Sequence, residues 1–277
     1  MSQTVSDYLG QSPQAALHEL SALLLEQGHC LLAQQPLGAA ASLEELRQRF
    51  DTLSGGVGSA LRSAIRTRWP GIAWSDEELD TRRQQQPEHD AYWVCDPIDG
   101  ALHYLAGLPG WTIALCLVVA GEPVMAVVHE PASGRCYRAI AGQGAECDGR
   151  RLSVNGRQDL ASSLLFAAHP NWPGKVRDDT ADFLARFGRL LPKVFGLRMH
   201  GPTSLLLAQV AAGASDGYWE CGQDLYDWLP GVLLVREAGG VVSALDGKPF
   251  AWGCSGIVAS GPRLHPLLTE ALRGSTP

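Results

Sequence analysis

Tyr92-Trp93-Val94-Cys95-Asp96-Pro97-Ile98-Asp99-Gly100 decides how this chain is read, because an apolar run ends there in two carboxylates three residues apart. The apolar residues predict a buried strand, which should stop where Pro97, lacking an amide hydrogen, cannot continue a sheet ladder. Gly100 can take backbone angles that crowd other residues. A turn of that shape folds both carboxylates to one side and leaves the next amides free. Two hard anionic ligands beside unpaired N–H groups suit a divalent cation plus a phosphate. Taken alone, D-x-x-D-G also describes an ordinary solvated turn.

A second, distant segment separates these readings. Glu220-Cys221-Gly222-Gln223-Asp224-Leu225-Tyr226-Asp227-Trp228 leads into a run that closes with Glu237-Ala238-Gly239-Gly240. With Trp93 to Gly100 it resembles the inositol monophosphatase superfamily, whose fingerprints are W-x-x-D-P-[IL]-D-G and a later run that opens on [WY]-D and ends in E-A-G-G. The resemblance holds from about Ile72 to Leu272. It implies a mixed α and β fold, a five-layered αβαβα sandwich, with residues 1–150 as an N-terminal α+β metal-binding half and 151–277 as a C-terminal α/β half completing the cleft.

The resemblance also implies a chemistry. Phosphate-ester hydrolysis needs neutralised phosphoryl oxygens, a stabilised leaving group and an activated water, all of which metal ions can supply. By family position, Glu77, Asp96, Asp99 and Asp227, with the backbone carbonyl of Ile98, match ligands of two or three Mg²⁺ ions. The amides of Gly100 and Ala101 match phosphate-binding positions. Asp76 replaces the Gly of the family's G-E-E segment, so Glu77 also reads as part of a surface acidic run. Glu220 matches a residue that accepts hydrogen bonds from substrate hydroxyls, and it reads equally as a strand-end surface charge. Asp224 stands where inositol phosphatases carry His, and Gly201-Pro202-Thr203 replaces a G-T-A segment, with Thr203 on the substrate side. The substrate is then a small phosphorylated polyol, sugar or nucleotide.

One departure concerns the attacking water. In the family, a Thr after D-P-I-D-G and an Asp in an upstream T-x-x-D segment form a hydrogen-bonded pair that activates it. Here Ala101 follows Gly100, and ungapped alignment back from Trp69-Pro70 puts Ser54 on the Asp position; a three-residue shift would bring in Asp51. Removing a general base typically costs about 10²- to 10⁴-fold in rate. Two functions stay open: a phosphomonoesterase with a modified water step, in which Asp51, Asp76 or Glu78 could take over, or a catalytically impaired member retained for metal and phosphate sensing or partner binding. Some bacterial relatives act with RNA-processing or transcription machinery. The resemblance suggests a homodimer.

Composition bounds the rest. With 277 residues, 45% hydrophobic and 18% charged, the chain can bury one large or two modest cores. No basic-then-apolar leader opens it and no apolar stretch reaches membrane-spanning length, so the expected location is the cytoplasm. Seven cysteines without a C-x-x-C pair fit reduced thiols. A formal net charge of −7 argues against a general nucleic-acid binder. Arg62, Arg66 and Arg68, with Arg82 and Arg83, read as a solvated basic face or a ligand patch.

Periodicity predicts helices over Ala15 to Leu32, Leu43 to Leu53 and Gly58 to Arg68, the last two interrupted by Ser54-Gly55-Gly56. Trp111 to Pro131 reads as two strands around Gly121-Glu122, followed by a hairpin at Gly142 to Gly149. A strand over Leu164 to Ala168 and helices over Thr180 to Leu191 and Thr203 to Ala212 come next. Then follow a strand over Gly217 to Glu220 and a helix over Pro230 to Ala238 ended by Gly239-Gly240.

Overall fold

Short polar residues open the N-terminal helices. Thr4 and Asp7 form a capping box on α1 (Val5–Leu9), Ser12 caps α2 (Pro13–Gln34) with Pro13 in its first turn, and Ser42 caps α3 (Leu43–Arg68). The computed structural model describes all residues except 1–3, 37, 39, 76–88, 170–178 and 274–277, and the side chains of 50, 51 and 53–57 are likewise outside it. The break predicted at Ser54-Gly55-Gly56 does not occur. An interior glycine costs only about 1 kcal/mol relative to alanine, and the 26-residue helix runs through it.

Seven strands follow in sheet order: β1 (Ala73–Trp74), β2 (Ala91–Asp99), β3 (Thr112–Val119), β4 (Glu122–Glu130), β5 (Arg135–Ile140), β6 (Gly144–Cys147) and β7 (Arg150–Arg151). β1 and β2 are parallel and the remaining pairs antiparallel. A short helix, α4 (Ala101–Leu105), leaves the end of β2. The chain then gives β8 (Leu164–Ala168), α5 (Thr180–Leu190), β9 (Gly196–Met199), α6 (Thr203–Ala211), β10 (Gly217–Cys221), α7 (Leu225–Glu237), β11 (Val241–Ser243), β12 (Gly256–Ser260) and α8 (His265–Arg273). The second sheet has the order β11-β12-β10-β8-β9.

The five layers follow from which faces are apolar. α2 and α3 cover one face of the seven-stranded sheet, α6 and α7 lie between the two sheets, and α5 and α8 cover the far face of the second. Three buried clusters match these interfaces; the central one joins Tyr92, Val94 and Val128 to Leu206, Val232 and Ile257. Since α7 is packed on all sides, it is apolar nearly throughout. It begins at Leu225, five residues before the predicted start, and carries Pro230 inside it. That proline forgoes one bond to the preceding turn, a loss offset by the burial of Trp228, Leu229 and Val232 to Val235 around it. At its other end, α7 is clasped to the first sheet, because the Glu237 carboxylate accepts the amides of Gly142 at 2.8 Å and Gly144 at 2.7 Å.

All seven cysteines are free thiols. Among the described residues no helix is long and apolar enough to cross a membrane.

Candidate metal centre

In a regular strand, residues three apart point to opposite faces. β2 pairs Asp96 with Ala114 and Asp99 with Thr112, so three steps on β2 answer two on β3. The extra residue is a bulge at Pro97-Ile98, which restores the parity and turns both carboxylates to one side. The stop predicted at Pro97 is therefore a bulge in a strand that runs on to Asp99, and a bulge is where a missing amide hydrogen is tolerated. Asp96 Oδ1 accepts the amide of Ile98 at 2.8 Å, closing the bulge with its own side chain. Gly100 follows with φ +89°, and a Cβ there would stand 3.1 Å from Pro202 Cβ, so both its conformation and its surroundings favour glycine.

Asp227 reaches the same point from the first turn of α7. Among the described residues, Asp96, Asp99 and Asp227 bring ligand oxygens within 4.8 Å of one another. Asp99 is buried, and burial pushes its carboxyl up to about 6 against the pull of Ser204, His103 and the Gly100 amide. Asp227 is held well above the usual carboxylate range by burial first, then by Asp224, Asp99, Asp96 and Glu220. Crowded carboxylates of this kind favour a cation among them.

The opposite wall is bonded throughout. The amide of Ser204, at the start of α6, donates to Asp99 Oδ2 at 2.8 Å, and the Ser204 and Thr112 hydroxyls lie 2.7 Å apart. Glu220 is 1% exposed, which removes the surface-charge reading. Its Oε2 accepts from Tyr218 Oη at 2.7 Å, Trp228 Nε1 at 2.8 Å and Thr203 Oγ1 at 3.2 Å. Tyr226 Oη donates to Ser75 Oγ, tying the first turn of α7 to the end of β1.

The other expected residues divide by position. Ile98 lies in the bulge, and Ala101 is half-buried against the cluster under α2 and α3. A Cβ on Gly58 would meet Pro97 Cγ at 3.6 Å, so α3 passes beside the bulge. Ser54 and Asp51 belong to that helix, but their side chains lie outside the described residues, as do Asp76, Glu77, Glu78, Arg82 and Arg83. Sequence reasoning missed Ser204, Tyr218 and Trp228. The one available signal was adjacency, since Ser204 follows Thr203 and Trp228 follows Asp227.

Comparison with known proteins bears on the family and the fold. A sequence profile of the inositol monophosphatase family matches residues 52–276. The inositol-1-monophosphatase of Mesorhizobium japonicum is 33% identical over 204 residues, 74% of this chain and 75% of that protein. The Nus factor SuhB of Pseudomonas aeruginosa is 33% identical over 215 residues, 78% of this chain and 79% of its own length. The solved inositol monophosphatase from Anabaena (Nostoc) sp. PCC 7120 superposes with a TM-score of 0.78 at 26% identity, covering 94% of this chain and 95% of that one.

Proposed function

Because this chain belongs to the inositol monophosphatase family, we propose that it is a Mg²⁺-dependent phosphomonoesterase acting on a small phosphorylated polyol, sugar or nucleotide. The observation that carries the reading is the meeting of Asp96, Asp99 and Asp227 from β2 and α7. An all-oxygen, all-anionic donor set fits a hard divalent cation. These three, the Ile98 carbonyl and Glu77 would hold two or three Mg²⁺ ions. When bound, Mg²⁺ neutralises phosphoryl oxygens and activates water.

The chain's own part is positional. The bulge sets the angle between Asp96 and Asp99, and the Ser204 amide fixes one oxygen of Asp99. The amides of Gly100 and Ala101 orient the phosphate, which needs no side chain at 101. In this reading residues 1–150 supply most metal ligands and 151–277 complete the cleft, in a homodimer working in the cytoplasm. A panel of phosphate esters assayed with and without Mg²⁺ tests the proposal: wild type should hydrolyse at least one ester only with metal, and Asp96→Asn should not.

A second reading has a specific observation behind it. Ala101 offers a methyl group where the family carries a water-orienting hydroxyl, which favours a catalytically impaired protein retained for metal or phosphate sensing or for a partner. The Nus factor name of some relatives suggests transcription machinery as that partner. Mg²⁺ binding without hydrolysis of any ester would select it.

A further inference from the structure

Asp99 and Asp227 are joined by a closed path of short links. Asp99 Oδ2 accepts the Ser204 amide at 2.8 Å; the adjoining Thr203 reaches Glu220 Oε2 at 3.2 Å. The same oxygen accepts Trp228 Nε1 at 2.8 Å, and Trp228 adjoins Asp227. The path crosses β2, α6, β10 and α7 and closes over the gap where the two aspartates offer their ligand oxygens. Ser204, Thr203, Glu220 and Trp228 are all buried. Donors from three elements converge on one oxygen, so the acceptor position itself ties α6, β10 and α7 together.

We propose that Glu220 is a positioning residue whose carboxylate holds α7 in register with α6 and so sets the spacing of Asp227 from Asp99. The inference rests on the proposed metal site. Outer hydrogen bonds that orient metal ligands typically govern about 10- to 100-fold in metal affinity. A purely electrostatic role for Glu220 makes a different prediction, because an amide keeps the acceptor and loses the charge.

Mn²⁺ binding to the full chain, followed by electron paramagnetic resonance of the free ion, tests this in wild type, Glu220→Gln, Glu220→Ala, Trp228→Phe and Asp227→Asn, with the metal-free melting midpoint recorded for each. Glu220→Ala and Trp228→Phe should weaken Mn²⁺ about tenfold or more, and Glu220→Gln should stay within about threefold of wild type. Trp228→Phe keeps a six-membered aromatic ring beside Phe250 and removes the N–H together with the five-membered half of the indole, so its Mn²⁺ affinity is read beside its metal-free midpoint, and it serves where Glu220→Ala does not fold. Wild-type affinity in folded Trp228→Phe would overturn the proposal, leaving a structural role. Equal losses in Glu220→Gln and Glu220→Ala would overturn it in favour of charge. If wild type binds no Mn²⁺, or Asp227→Asn binds it equally well, the metal reading itself fails and this inference with it.

Discussion

The two flanks of the cleft differ in kind. On the side of α6, β10 and α7, Glu220, Ser204 and Trp228 are buried and bonded to one another's neighbours. On the side of α3, a Cβ on Gly58 would meet Pro97 Cγ only at an ordinary contact distance, and Ala101 presents a methyl group. In the proposed reading, charge placement and proton handling are thus separable. In that reading the first rests on these buried contacts and the second on positions 101 and 54.

Removing a ligand from the bonded flank should have the largest effect. At one hundred times its dissociation constant, Mg²⁺ stabilises a native-only site by about 2.7 kcal/mol. Asp227→Asn should abolish most of that gain, and equal thermal shifts in the two proteins would break the assignment.

Adding a methyl group compares the flanks directly. A Cβ on Gly231 would collide with Leu207 Cβ, where α6 and α7 touch, so Gly231→Ala should cost about 2 kcal/mol in urea unfolding. Gly58→Ala meets only a 3.6 Å contact and should be neutral or stabilising by up to about 1 kcal/mol. Similar losses from both would erase the distinction.

Changing the α3 flank should have a smaller effect. Ala101→Thr with Ser54→Asp should raise kcat/KM by about tenfold, worth about 1.4 kcal/mol, well beyond either change alone. Additive or absent gains would show that another group handles the proton.

The smallest effect lies at the other end of β10, where His265 sits between the Ser243 and Ser260 hydroxyls at 2.9 and 3.2 Å. Burial lowers its pKa from 6.5 to about 4. A depressed histidine stabilises the native state while neutral, and that contribution is lost as pH falls from about 6.5 towards 4. Between pH 7 and 6 wild type should lose about 0.7 kcal/mol more than His265→Asn. Asp99, held up at about 6, has the opposite sign, its protonation in that range favouring the native state. Identical profiles for the two proteins would remove His265 from the account.

Much of this is legible in the sequence where residue chemistry and local geometry agree. The strand Leu164–Ala168 and the strands flanking Gly121 are marked by apolar runs between turn residues. The bulge is not legible, since Pro97 reads as a stop and only the pairing with β3 reveals the extra residue. Glycine and proline mislead in the same way at Gly55-Gly56 and Pro230, where tertiary packing overrides local preference. Glu220 reads equally as a strand-end surface charge, because its burial depends on α6 and α7 folding Thr203 and Trp228 back onto β10 beside Tyr218.

Helix α7 carries Asp227 in its first turn and, 13 residues long, spans about 20 Å to the Glu237 clasp on the Gly142 and Gly144 amides. Fixed at both ends, it behaves as a rod rather than a hinge. The backbone that carries Asp227 can leave the other two aspartates only through an opening that frees the whole helix. Such sub-global openings are rarer than loop fluctuations, so the carboxylate triad should persist on the timescale of the core, not of the surrounding surface.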